Sequence, residues 1–176
     1  MNLYFRVGIP VGVVITVGLG AWVYSIVHPT SDHALIMHFS KNRACFEEIV
    51  RMAHSENGVA RIAPRFITLR GKFVPTLAER RAAISDDRWE RYKTLFSCAG
   101  VGGTPGGIGI GKDGVYLQAA SFGFGGGWQK GYWWSEIDPQ PRRTSLDGAL
   151  DKEKNPWPMQ LYRHIGGPWY LEIDWD

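Results

Sequence analysis

Four short patterns in this chain carry residue types that chemistry uses, and the spacing around each decides what it is. Gly106-x-x-x-x-Gly111-Lys112 follows a nucleotide phosphate loop up to its last position, where a hydroxyl should hold magnesium and Asp113 stands instead. A strand is expected after it, not the helix that such a loop needs. Gly109-x-Gly111-x-x-Gly114 matches a dinucleotide fingerprint through the same glycine density. Ala119-x-Ser121-x-Gly123 has the outline of a hydrolase nucleophile elbow, but Ser121 sits in a continuing strand, not a strand-to-helix turn. His28, His33 and His38 recur every five residues, which turns successive rings by roughly 140° on a helix, so they do not converge on a metal. His54 and His164 stand alone. No catalytic, metal or cofactor-binding set is expected.

Two features remain. Cys45 and Cys98, the only cysteines, fall on two expected helices. They are either two buried thiols or, in an oxidising compartment, a disulfide. Aromatic residues are abundant, at 8 Trp, 7 Tyr and 8 Phe. Among them Trp128, Tyr132, Trp133 and Trp134 form a run that either fills a core or offers an interaction surface. Tyr132 and Trp134 share one side of a strand, so Trp133 must face the other way.

The elements that position these residues start with Val7–Val27, 21 residues without a charge. As a helix they would reach roughly 31 Å, close to the thickness of a bilayer's hydrocarbon. Arg6 lies ahead of the stretch and no Lys or Arg follows before Lys41. The positive-inside bias therefore puts residues 1–6 in the cytoplasm and the remainder outside. Trp22 and Tyr24 suit a retained signal-anchor better than a cleaved signal peptide. Gly8, Gly12, Thr16 and Gly20 recur every four residues, a small-residue face for helix self-association and so for a homodimer.

Beyond the anchor, residues 28–40 are expected to be a juxtamembrane linker and helix start leading into one extracytoplasmic domain at 41–176. Asp32–Ser55 carries a helical stripe (Ile36, Phe39, Phe46, Ile49, Val50, Ala53) closed by Asn57-Gly58. Arg61–Arg70 reads as a strand. Ser85-Asp86-Asp87 caps a second helix buried through Trp89, Tyr92, Phe96 and Ala99. Strands follow, ending in a hairpin. A three-residue turn through Pro168 sets Ile165 against Trp169, Leu161 against Ile173 and Met159 against Trp175, which gathers the apolar residues. The same register puts Arg163 on the buried side opposite Leu171, where a guanidinium needs a carboxylate or several carbonyls. The expected fold is α+β, about two helices packed on an antiparallel sheet.

Charge narrows the partners. A net +3 is too small for a nucleic-acid surface. Residues 61–93 hold nine Lys or Arg against four acids, and residues 136–176 hold eight acids against five bases. Solvated faces account for both; a membrane or acidic partner would use the first.

Lys130-Gly131-Tyr132-Trp133, Ser145-Leu146-Asp147, Tyr162-Arg163-His164-Ile165 and Trp169-Tyr170-Leu171, with Asn42-x-x-x-Phe46-Glu47, together resemble an uncharacterised group of small exported bacterial envelope proteins. That resemblance implies a membrane- or lipid-tethered protein of the cell envelope, some of whose kind look like immunity factors against envelope toxins. The expected function is a single-pass inner-membrane protein whose periplasmic domain binds an envelope protein without catalysis. The alternative is a cell-wall glycan binder or glycan-processing domain that stacks sugars on the Trp and Tyr run.

Overall fold

A computed structural model describes residues 29–72, 75–102, 106–122, 127–150 and 159–175. The Val7–Val27 stretch, its orientation and the Gly8, Gly12, Thr16, Gly20 face lie outside the described residues. Among the described residues no helix is long and apolar enough to cross a membrane.

Ser31 starts the first helix, α1 (Asp32–Ala53), by accepting the Ala34 N–H. α1 buries Leu35, Phe39, Phe46, Ile49, Val50, Met52 and Ala53. Its one non-helical residue is Asn42, whose side-chain amide donates to the His38 carbonyl at 3.0 Å. A side chain inserted into the i to i−4 ladder is a known cause of a kink. The helix ends at His54, ahead of the Asn57-Gly58 stop read from the sequence. It begins inside 28–40, the stretch read as linker and helix start, and Asp32 is itself fully buried.

Three helices are described where two were expected. The added one, α2 (Leu77–Ala83), is short, buries nothing, and rests on a capping box between Thr76 and Glu79. α3 (Asp86–Ala99) follows Ser85, which accepts the Arg88 N–H, and buries Tyr92, Leu95, Phe96 and Ala99. Trp89 is only half-buried; its ring lies between the Arg80 and Lys93 cations, each 4.4 Å from it. The Cys45–Cys98 disulfide joins α1 to α3, with Cα atoms 6.2 Å apart.

Arg61–Arg70 is two strands, not one. β1 (Val59–Ile62) turns back into β2 (Ile67–Leu69), and Ala63 N–H bonds the Phe66 carbonyl across the Pro64 turn. Pro64 has no N–H for a ladder, so the run breaks there. The other strands are β3 (Ile108–Ile110), β4 (Val115–Phe122), β5 (Trp128–Trp134), β6 (Met159–Gly166) and β7 (Trp169–Trp175). All pair antiparallel in the order β2-β1-β3-β4-β5-β7-β6.

The closing hairpin pairs Leu161 with Ile173 and Met159 with Trp175, as the apolar pattern demanded. Its tip differs: Gly166, not Ile165, faces Trp169, because a bulge after His164 precedes a two-residue Gly167-Pro168 turn. One extra residue in the strand plus a two-residue turn gives the same downstream register as a three-residue turn.

Register separates the two faces of the sheet. Ile62, Ile108, Leu117, Tyr132, Leu171 and Arg163 form one row across it, facing α1 and α3. Phe39 and Phe46 pack on Tyr132 and Trp169 at ring separations of 4.6 to 6.0 Å, so the core lies between this face and the helices.

Candidate functional site

The expected interaction surface of Trp128, Tyr132, Trp133, Trp134 and Arg163 is not one surface. Tyr132 is 1 % exposed and donates its hydroxyl proton to the Leu35 carbonyl of α1; Trp128, four residues earlier on the same face, is also buried. Strand alternation puts Trp133 on the opposite face, 6.4 Å from the Tyr162 ring. The four rings therefore form no continuous platform for a sugar.

Arg163 finds the carboxylate its position required. Asp32 Oδ2 accepts from Arg163 Nη1 at 2.7 Å, from the Leu146 N–H at 2.7 Å and from Ser145 Oγ at 3.1 Å. Asp32 Oδ1 lies 2.6 Å from Lys130 Nζ, and both side chains are completely buried. Lys130 also donates to the Thr30 carbonyl and to Asp147 Oδ1, which in turn accepts the Asp32 N–H. Each charged side chain in it has an oppositely charged neighbour, so this network locks the start of α1 to β5 and β6. It acts as a structural lock.

Trp134 lines a cleft. His54, just past the end of α1, meets its ring edge-on with centroids 4.5 Å apart. The β3–β4 turn, Gly111–Gly114, forms the opposite wall, and Ile110, Glu136 and Ile137 complete a cleft of ≈ 300 Å³. Ser135 holds this wall: its hydroxyl donates to the Asp113 carbonyl at 2.6 Å and accepts the Ile137 N–H at 3.1 Å. Ile137 is left 62 % exposed at the mouth. Lys112 of the phosphate-loop lookalike lines the same cleft, but within a strand-to-strand turn. An aromatic anchor, an exposed aliphatic side chain and polar backbone at the edge make a surface suited to gripping another chain.

The second face of the sheet holds what the sequence did not reveal. Burial pushes the Glu172 carboxyl up from 4.5 to about 7, with the neighbouring Asp174 adding to the rise. Between those values the folded state holds a proton that the unfolded state has lost, so stability falls as pH rises from 4.5 toward 7. Glu172→Gln will therefore raise stability by up to about 3 kcal/mol near pH 8, with the gain fading as the pH is lowered. Urea denaturation at both ends of that range measures it; a gain of the same size at both pH values would mean that a buried, displaced proton is not its cause. Only the alternation of Glu172 and Asp174 on β7 was visible in the sequence, and it reads equally as a solvated edge.

No family model matches the chain, and neither does any curated protein or solved structure.

Proposed function

We propose that this chain is a single-pass, membrane-anchored protein of the bacterial envelope whose α+β domain lies outside the cytoplasm and binds another envelope protein, as an immunity or accessory factor would. The Cys45–Cys98 disulfide supports the compartment, since such bonds persist in oxidising spaces. The charge-free Val7–Val27 stretch and the resemblance to tethered envelope proteins support the anchor. Its Gly8, Gly12, Thr16, Gly20 face supports pairing with a second copy inside the bilayer.

The observation that carries the binding reading is the Trp134–His54–Ile137 cleft, where a large exposed aliphatic side chain adjoins a half-buried tryptophan. Such anchors supply most of the binding energy in protein interfaces. Purification of the full chain from detergent-solubilised membranes is expected to bring down one envelope protein in stoichiometric amount. Ile137→Asp will weaken that association by about tenfold or more, whereas Met37→Asp on exposed α1 surface will not. Equal effects of the two substitutions would move the interface away from the cleft. Protease added to spheroplasts will digest the domain; protection would place it on the cytoplasmic side.

A further inference from the structure

The sheet face turned away from α1 and α3 is organised by one missing side chain. Gly131 on β5 pairs with Gln118 on one side and Glu172 on the other. A Cβ there would meet the Leu117 carbonyl oxygen at 2.2 Å and the Tyr116 hydroxyl oxygen at 2.9 Å. The glycine thus lets the Tyr116 ring lie across β5 toward Glu172 on β7. Tyr116 ends in a buried hydroxyl with no hydrogen-bond partner among the described residues, and Glu172 Oε2 is buried in the same state. Glu172 Oε1 accepts from the Gln160 amide, and the Tyr162 hydroxyl, opposite Glu172 in the register, also hydrogen-bonds the carboxylate. Two complementary polar atoms on either side of β5, both buried and both without a hydrogen-bond partner, are an uncommon cost in a folded protein.

The charges on this face do not balance. Asp174, two residues on and on the same side, takes one hydrogen bond, from Gln129 at 3.1 Å. Among the described residues no Lys or Arg pairs with Glu172 or Asp174. Along these rows Arg142, bridged to Tyr162, pairs with Asp138 at 3.2 Å, and Arg61 donates to Gln118 Oε1 at 3.1 Å and to the Gly106 carbonyl at 3.5 Å. His164, at the far end of the row, hydrogen-bonds the Gly167 carbonyl. The row Gln129, Asp174, Gln160, one step along the strands from the buried pair, is half-buried to exposed. What the site lacks is a compact cation with several N–H donors, and what surrounds it, Tyr116, Tyr162 and Trp133, is aromatic. Aromatic walls beside carboxylates are a setting that favours alkylammonium groups.

We propose that Glu172 and Asp174, walled by Tyr116 and Tyr162, form a receptor for a primary alkylammonium group. The ammonium donates to Glu172 Oε2 and to the Tyr116 hydroxyl oxygen, and its carbon stem leaves past Asp174. That group can be a lysine side chain of a partner or a free small amine. The site does not rest on the binding reading above, whose cleft uses other residues.

The test is titration of the ¹⁵N-labelled full-length chain in detergent micelles with n-butylammonium, with the neutral isostere n-butanol, and with a lysine tripeptide blocked at both ends. Saturable shifts of the Gly131, Tyr162 and Glu172 amides are expected with the cations and not with the alcohol. Glu172→Gln will weaken them by about tenfold or more, the usual loss for a charge-assisted hydrogen bond. Because that variant is expected to be at least as stable as the parent, the loss would not be a folding effect. Tyr116→Phe, which keeps the ring, will weaken binding less. Binding of the tripeptide as well as butylammonium assigns the site to a partner's lysine; butylammonium alone assigns it to a free amine. No saturable shift with either cation, or equal binding in Glu172→Gln, would overturn the receptor and leave a trapped water between Tyr116 and Glu172.

Discussion

Asp32→Ala will destabilise the domain by about 3–5 kcal/mol, because it leaves the wholly buried Lys130 ammonium and the Arg163 guanidinium without their shared carboxylate. Thr30 and Asp147 remain as partial acceptors for Lys130, so the loss should fall short of complete unfolding. The comparison that isolates the ion pair is Asp32→Leu with Lys130→Met in one chain. Removing both charges leaves no stranded ammonium and only the part-exposed Arg163 without its carboxylate, so the double variant should recover part of the stability lost by either single change. Urea denaturation of the four proteins gives the coupling directly. Additive losses would mean that the two residues act separately, which the 2.6 Å contact does not allow.

The same network predicts an acid limb. Burial alone would raise the Asp32 carboxyl, but hydrogen bonds from Lys130, the Leu146 amide and Arg163 outweigh it and hold the group below its ordinary 3.8. A depressed carboxylate stabilises the fold above its unfolded value, and that contribution disappears as pH falls through the folded one. The parent should lose this stability below pH 3.8, while Asp32→Ala has none of it to lose.

Reduction of Cys45–Cys98 is the second large effect. The bond closes a loop with a sequence separation of 53. On the chain-entropy account, cutting such a loop costs about 4 kcal/mol. Cys98 is exposed and Cys45 half-buried, so a reductant reaches the bond without prior unfolding. The urea midpoint should therefore fall on adding reductant to the native protein, and Cys45→Ser should reproduce the fall and be insensitive to reductant. Intact mass without reductant should be two hydrogens lighter than the reduced chain. A parent whose mass and midpoint ignore reductant would carry two thiols instead.

What could be read ahead of the structure was whatever depends on local periodicity. The stripe Phe46, Ile49, Val50, Ala53 and the alternation of Leu161, Arg163, Leu171 and Ile173 placed α1, the last hairpin and a buried guanidinium, because each pattern admits one face or one register. Short elements were less legible. α2 buries no residue and has no apolar stripe, although Thr76 and Glu79 spell a capping box that would have marked its start. The β1–β2 break follows from Pro64, a residue that a strand edge would tolerate equally well. The partner of Arg163 was out of reach: Asp32 lies 131 residues away, in the first turn of a helix where an acid is ordinary. Long-range electrostatics leaves no periodic trace. The Trp run misled for a related reason. Alternation told that its faces differ, but only the packing of Phe39 and Phe46 told which face was spent on the core.

The Asp32 lock also sets how this domain carries load. Tension on the chain ahead of Thr30 would not first peel α1 from its free end, because the helix's first residue is tied to Lys130 in β5 and Arg163 in β6. Those strands flank β7, to which each is bonded along nearly its whole length. A pull is thereby passed into the best-connected part of the sheet, where yielding requires many backbone hydrogen bonds to shear together. A domain held at its N-terminal end is, by this arrangement, gripped at its strongest point.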